Sequence, residues 1–326
     1  MHKLAIFSLS VALLCSCGRK VESVSGQTTA ASEGGGSKEA APPKVRADVR
    51  LYPILVDDKW GYIDGEGKVV IKPQFTGAAR FSHGLAAVQT VKAGKVGFID
   101  ETGKMVIPQE YKLADPFSEG YSAVLTFKDL KWGYIDTTGK MVIEPKYVAA
   151  GKFSEGLAHV GVQAGTNANY GYINPKGDMV IQAQYDSATP FGEGLAAVRS
   201  FGELIKYIDP AGKTVIQPQY TTAGEFAEGL APVEVKTTNG MRWGFINKKG
   251  DLAISGRFNN AQPFQEGLAP VEATSGKWGY INADSKLVIP DRYEKVDRFY
   301  NGLAQVQVGS KVGYIDKTGK FVWESK

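Results

Sequence analysis

The sequence predicts an all-β repeat protein of eight units, each of about 36 residues. Three observations lead there. A Gly-aromatic-Ile-Asp/Asn core recurs at Gly61, Gly97, Gly133, Gly171, Gly244, Gly279 and Gly313, and a degenerate copy, Lys206-Tyr207-Ile208-Asp209, fills the one long gap. The spacings are 36, 36, 38, 35, 38, 35 and 34 residues, and a period between 20 and 50 marks stacked or radially arranged supersecondary units. Within each unit the apolar residues alternate with period two and no helical period is present. Turn residues fall at the same places in every copy.

Residues 131–160, KWGYIDTTGKMVIEPKYVAAGKFSEGLAHV, form the cleanest copy. Four short segments compose a unit. The first is the small, apolar Leu157-Ala158-x-Val160. The second, Trp132-Gly133-Tyr134-Ile135-Asp136, puts Trp132, Tyr134 and Asp136 on one face and Ile135 on the other. The third, Lys140-Met141-Val142-Ile143, is rich in strand formers, and the fourth is a short stretch over 147–153 with aromatic ends. The recurrent Ala residues (Ala86, Ala158, Ala196, Ala231, Ala269, Ala304) suit crowded inner strands, so the Leu-Ala segment is expected to be innermost.

Two turn signals punctuate the units. Asp-x-x-Gly, as in Asp64 to Gly67, Asp100 to Gly103, Asp136 to Gly139 and Asp316 to Gly319, joins the second and third segments. An Asp or Asn at the first position bonds the backbone two residues on, and the Gly supplies positive φ. Turn chemistry therefore accounts for an Asp series that otherwise resembles metal ligands. The seventh copy, Asn282-Ala283-Asp284-Ser285, lacks the Gly and is expected to be the most strained. The second signal, Phe-x-Glu-Gly, joins one unit to the next and places Glu119, Glu155, Glu193, Glu228 and Glu266 in equivalent positions; His83 and Asn301 replace Glu in the first and last junctions. In a ring these five carboxylates form an acidic arc, a candidate surface for a cation or a basic partner, beside their plainer reading as solvated turn residues.

In chain order, residues 1–16 read as a secretion signal: Lys3, an apolar stretch from Leu4 to Leu14 too short to span a bilayer, then Leu14-Cys15-Ser16-Cys17. The ending resembles a bacterial lipoprotein signal. That resemblance implies acylation of Cys17, with Ser16 as the small residue before it, and Gly18 rather than Asp after it favours the outer membrane. Beyond Cys17 the remaining sequence has no cysteine, so neither a disulfide nor a thiol nucleophile is on offer. Residues 17–50 form a Ser/Thr/Ala/Gly-rich tether with GGGS and Pro-Pro, too poor in large apolar residues to fold, and a flexible chain of that length spans about 30 Å. Its end, 45–50, alternates like a strand.

Residues 51–326 form the repeat domain. The last unit stops just after its third segment, Lys320 to Trp323, so the eighth unit lacks a fourth strand, which residues 45–50 from the other terminus are placed to supply. Four-stranded units closed by a strand from the opposite end describe a closed β-propeller, which protects its edges. The alternative is an open β-solenoid, built by the same local rules but with exposed ends.

Trp60-Gly61, Trp132-Gly133, Trp243-Gly244 and Trp278-Gly279, each followed by aromatic-Ile-Asp/Asn, resemble the WG (KWG) repeat of bacterial proteins. The sequence departs from it where Val96, Tyr170 and Val312 replace Trp, and most at Ile205-Lys206, where both signature residues are gone. The resemblance implies a β-rich repeat domain, often exported, and brings no catalytic residues. Trp-Gly reads as packing, with the indole filling space and Gly admitting a neighbouring strand.

Chemistry is sparse. His83 and His159 are the histidines beyond the signal, in different units, and no metal-spaced cluster, nucleophile elbow or phosphate loop occurs. The expectation is no catalysis, no metal and no cofactor. The net charge of +4 is spread through all units, which with an exported address speaks against nucleic acid. The expected function is a monomeric, lipid-anchored envelope protein, a non-catalytic binding or scaffolding module for a protein or glycan partner. Alternatives are an exported propeller-type enzyme acting on envelope glycans, which requires paired carboxylates at the centre, and a purely structural surface lipoprotein. The segments between first and second strands vary most (91–95, 127–131, 163–170, 235–242), and in a propeller they share one face with the Pro-Gln-Tyr links, opposite the Asp-x-x-Gly and Glu-Gly turns.

Overall fold

The computed structural model describes residues 50–91 and 94–325. The signal sequence, Cys17 and the tether up to residue 49 lie outside the described residues. Strands alone make up the regular structure of the described chain, arranged as eight antiparallel sheets. These are the eight blades of a β-propeller.

Blade 1 holds β1 (Tyr52–Val56), β2 (Lys59–Ile63) and β3 (Val69–Phe75). Blade 2 holds β4 (Gly77–Ala78), β5 (Leu85–Gln89), β6 (Val96–Asp100) and β7 (Met105–Tyr111), hydrogen-bonded in that order. Blades 3, 4, 5, 7 and 8 repeat the four-strand order over 113–147, 149–185, 187–220, 260–293 and 295–324. Blade 6 reduces its first strand to a single bridge between Ala223 and Val233. The expectation that the Leu-Ala segment is innermost is thus corrected: a two-residue strand lies inside it. That strand belongs to the chain leaving the previous blade's outer strand, after a link of about one residue.

Gly at the WG position is forced by the outer strand. The register shifts between Trp132 and Tyr134, and a Cβ on Gly133 would meet the Ile143 carbonyl oxygen at 2.5 Å. The Tyr that follows points into the seam between blades and is fully buried. Its hydroxyl donates to a carbonyl of the next blade's inner strand: Tyr62 to Ala79 (2.9 Å), Tyr134 to Gly151 (2.8 Å), Tyr172 to Thr189 (2.8 Å), Tyr207 to Gly224 (2.9 Å) and Tyr280 to Asp297 (2.8 Å). An inner-strand Phe packs on each ring, as Phe153 does on Tyr134 at 4.9 Å between centroids. A buried hydroxyl with a partner adds direction to an otherwise apolar seam. Phe98 lacks the hydroxyl, and there Ser122 takes over, donating to the Asp115 carbonyl at 2.6 Å.

The Asp-x-x-Gly turns behave as read. Asp136 Oδ1 accepts from the N–H groups of Thr138 (2.9 Å) and Lys140 (3.0 Å), and Gly139 has φ +88°. Ser285 holds the same left-handed position at φ 62° without being glycine, so the seventh turn is the strained one.

The incomplete blade is the first, not the eighth, since residues 295–324 form a full sheet. Nor do the described residues close the ring by sharing a strand, because the termini meet through side chains. Tyr52 stands where other blades carry Ala86, Ala158 or Ala196; each of these pairs with the Ile of the neighbouring strand. Its ring, 4% exposed, fills space beside blade 1 and packs against Tyr314 with centroids 5.4 Å apart and planes tilted by 57°, while its hydroxyl donates to the Asn301 carbonyl at 2.6 Å. Tyr314, with no inner-strand carbonyl among the described residues of blade 1, donates to Pro53 at 2.8 Å.

Candidate functional site

Antiparallel order places the Glu-Gly and Asp-x-x-Gly turns on one face of the ring and the hairpins between second and third strands on the other. The axis, the turn face and the hairpin face are therefore the three surfaces on which a site can be built.

On the turn face the structure brings Glu119, Glu155, Glu193, Glu228 and Glu266 into one continuous series. Each sits at positive φ and reaches to the next blade. Glu119 accepts the N–H groups of Glu155 (2.6 Å) and Gly156 (2.9 Å); Glu155 accepts Gly194 N–H (2.8 Å); Glu193, Glu228 and Glu266 accept the N–H groups of Gly229, Gly267 and Gly302 at 3.0 Å. Lys248 and Lys317 pair with Glu193 and Glu266 at 3.0 and 3.2 Å. The arc is a set of inter-blade staples, made where the backbone needs acceptors. His83 and Asn301 interrupt it on both sides of blade 1.

At the axis the last residue of each inner segment, just before the Phe, alternates around the ring: Arg80, Pro116, Lys152, Pro190, Glu225, Pro263 and Arg298. Charged side chains come from blades 2, 4, 6 and 8, and prolines from the blades between them leave room. Glu225, 17% exposed, accepts from Arg298 at 2.8 Å and pairs with Lys152 at 3.6 Å; Arg80 pairs with Asp297 at 2.5 Å. These contacts link alternate blades around the axis and form a charged plug near the turn face. The Arg80–Asp297 pair joins blades 8 and 2 directly, across the place where blade 1 has no inner strand among the described residues. Tyr300 spans the same gap, its hydroxyl 3.4 Å from the Phe81 carbonyl.

Two titratable groups stand beside this plug. Burial pushes Asp115 up to about 6 and His159 down to about 4, with Lys152 adding to the second effect. His159 packs on Gly151, and its Nδ1 is buried without a partner among the described residues. No group of three His, Cys, Asp or Glu residues placed for a metal ion occurs among the described residues.

Above the plug lies a cavity of about 560 Å³. It runs from Gly77, Gln89 and Val96 at the hairpin end to Arg80, Asp297 and Arg298 at the other, with Ala87, Leu113 and Ala114 along the seam between blades 2 and 3. Its carboxylate is Asp297 alone, held by Arg80, so the lining does not present a carboxylate pair.

The hairpin face is different in kind. The segments 163–170 and 235–242, read from sequence as loops, are extensions of paired strands. Ala158–Ala164 pairs with Asn167–Ile173 through seven residues, and Leu230–Thr237 with Gly240–Asn247 through eight. Blades 4 and 6 thus project beyond the ring. Between them blade 5, the degenerate unit, pairs only Ala196–Arg199 with Ile205–Ile208, and its tip carries Phe201 at 90% exposure. Val91, Phe127, Leu130 and Leu204 are also exposed on tips of blades 2, 3 and 5.

Seven matches to the family model described as WG containing repeat cover residues 60–90, 97–126, 132–161, 170–200, 207–236, 243–277 and 278–311. The chain belongs to the WG-repeat family. The matches span blades 1 to 8, and the fifth begins at Tyr207, one residue past the lost Trp-Gly pair. Among solved structures the WG-repeat chain is similar to the computationally designed Ika8 protein, 12% identical with a TM-score of 0.52 over 77% of this chain and 86% of that one. It is also similar to BamB from Moraxella catarrhalis (13% identical, TM-score 0.46, 81% and 95% covered) and to streptogramin B lyase (13%, 0.46, 83% and 98%). These likenesses concern the fold alone. No curated protein matches the chain.

The alternation of charge and proline at the axis, and the cavity, escaped the sequence reading. Aligning the residue before each Phe would have exposed the first, and the loss of Trp at Val96 was the signal for the second.

Proposed function

We propose that this WG-repeat propeller is a non-catalytic binding or scaffolding module that engages a protein partner through its hairpin face. The observation that carries the reading is the gathering of exposed large apolar side chains on hairpin tips: Phe201 (90% exposed), Val91 (62%), Leu130 (54%) and Phe127 (47%). The turns of the other face present Asp, Asn, Lys and Glu, and the exposed apolar side chains that follow them, such as Val70 (48%), Leu252 (49%) and Leu287 (50%), are spread one or two to a blade at the starts of the outer strands. Exposed apolar side chains gathered on one face mark interaction sites, and two projecting hairpins on either side of a short one form a notch into which a partner element fits. The Glu119 to Glu266 arc we assign to holding the ring rather than to a partner. The single, paired carboxylate of the cavity supports a role without catalysis.

The reading places the module in the cell envelope, anchored by acyl chains on Cys17 and held clear of the membrane by the tether. Cys17→Ser is expected to release the protein from the membrane fraction; retention there contradicts the anchor. For the partner, the full chain is used to capture proteins from an envelope extract, beside a variant combining Phe127→Ser, Leu130→Ser and Phe201→Ser. A partner recovered by the native chain and reduced at least tenfold with the variant is the expected result. Recovery unchanged by these substitutions, or binding to purified envelope glycan in place of a protein, overturns it.

A further inference from the structure

We infer that the cavity running from the axis into the seam between blades 2 and 3 is a binding site for a small monoanionic molecule with an apolar body, of the aryl-alkyl or medium-chain carboxylate class. The inference is independent of the hairpin-face reading and uses none of the residues assigned there.

The cavity joins the axial channel of the ring to a widening in the seam between blades 2 and 3, where blade 2 departs from the repeat at two positions. Val96 occupies the site of Trp60, Trp132, Trp243 and Trp278, so an indole's volume is missing from the seam. Gly77 begins the inner strand where Leu113, Ala149, Ser187, Asn260 and Lys295 do so elsewhere, so blade 2 places no side chain at the mouth. Its volume of about 560 Å³ lies in the range of small-molecule pockets. Ala79, Ala87, Val88, Val96, Leu113 and Ala114 supply apolar walls, and the Gln89 and Gln262 amides are the neutral polar groups.

The charge of the floor selects the other end of the ligand. The lining itself carries two guanidinium groups, Arg80 and Arg298, against the one carboxylate of Asp297, an excess of one positive charge facing the cavity. Arg80 and Arg298, which line the cavity, each engage a carboxylate through one terminal nitrogen, Nη2 and Nη1 respectively. A guanidinium has five N–H donors in a fork, so each retains donors for an incoming carboxylate, and a charge-assisted bond of this kind is the strong sort. A cation is disfavoured by the same excess, and a dianion is left partly uncompensated.

Isothermal titration of the full chain with 4-phenylbutyrate, decanoate and the neutral 4-phenylbutyramide tests the assignment. Saturable binding of at least one carboxylate is expected, with the amide at least tenfold weaker than phenylbutyrate. Val96→Trp installs the residue that four other blades carry at this position, so the fold is retained. It is expected to weaken carboxylate binding at least tenfold with a melting temperature equal to or above that of the native chain. Arg298→Gln is expected to weaken the carboxylate and leave the amide unchanged. Absence of saturable binding by every compound, equal affinity for acid and amide, or undiminished binding by the Val96→Trp chain overturns the proposal.

Discussion

Blades 3 to 8 and blade 1 solve the same problem with different means. Along the arc from blade 3 to blade 8 each junction is held by a Glu staple, and four of its five seams also have an aromatic hydroxyl reaching the next inner strand. At blade 1 the described chain has neither an inner strand nor a Glu-Gly turn, and four large side chains replace them. Tyr52 fills the space, Tyr314 bonds the carbonyl that the missing strand would have used, and Tyr300 with Arg80 bridges to blade 2. The repeat specifies a generic junction cheaply, with small residues and one carboxylate, whereas closing the ring takes specific, bulky, buried residues.

Tyr52→Ala breaks that comparison most directly. Truncating a buried aromatic core residue costs about 3–5 kcal/mol, and here it also orphans the Asn301 carbonyl. Chemical denaturation is expected to show a loss in that range, while a Tyr at the equivalent Ala158 is expected to destabilise instead by overpacking. A loss below about 1 kcal/mol for Tyr52→Ala means that ring closure does not rest on this side chain.

The next effect concerns Asp115, just past the inner strand of blade 3 and beside the plug. Burial raises its folded pKa from the ordinary 3.8 to about 6. A raised carboxylate favours the protonated form in the folded state, so stability is greatest below the unfolded pKa and falls as pH rises from about 4 to 6. At about 1.4 kcal/mol per unit, Asp115→Asn is expected to stabilise by about 3 kcal/mol at pH 7.5, with the gain vanishing below pH 4. A gain independent of pH would assign it to something other than charge burial. His159 acts in the opposite sense: its folded pKa of about 4 lies below the ordinary 6.5, so its contribution is present above pH 6.5 and is lost as pH falls toward 4. His159→Ala, the residue found at Ala87, Ala123 and Ala197, is expected to flatten that acid-side loss.

The smallest effect belongs to a single staple. Glu228→Gln keeps an acceptor but removes the charge on the bond to Gly267, and a loss of about 1 kcal/mol is expected from the difference between charged and neutral hydrogen bonds. Zero effect at every staple in turn would make the arc ornamental and reopen Glu119 to Glu266 as a surface for a partner.

Much of this architecture is legible in the repeat. Period-two alternation, Asp136-x-x-Gly139 and the crowding at Gly133 are local facts, and local facts survive folding. What stays hidden depends on relations between units. The innermost strand is only two residues long, as at Ala149–Ala150, too short to announce itself beside the longer Leu-Ala segment. The Arg80, Lys152, Glu225 and Arg298 plug arises from every second unit, and no single copy reveals it. The 163–170 and 235–242 segments, being polar and Gly- or Asn-containing, read as loops, yet the backbone ladder continues through them because neighbouring hydrogen bonds outweigh weak local preference. Departures from the repeat carry the individuality of the molecule: Val96 opens the cavity, and Ile205-Lys206 marks the short blade with the exposed Phe201.

The central claim is that the hairpin face, not the turn face, meets a protein. Site-specific photo-crosslinking in cells tests it most directly, with a benzophenone side chain placed at Phe201 in one chain and at Glu66, on an Asp-x-x-Gly turn, in another. The account predicts a discrete protein adduct from position 201 and none from position 66. An adduct from position 66 alone would contradict it.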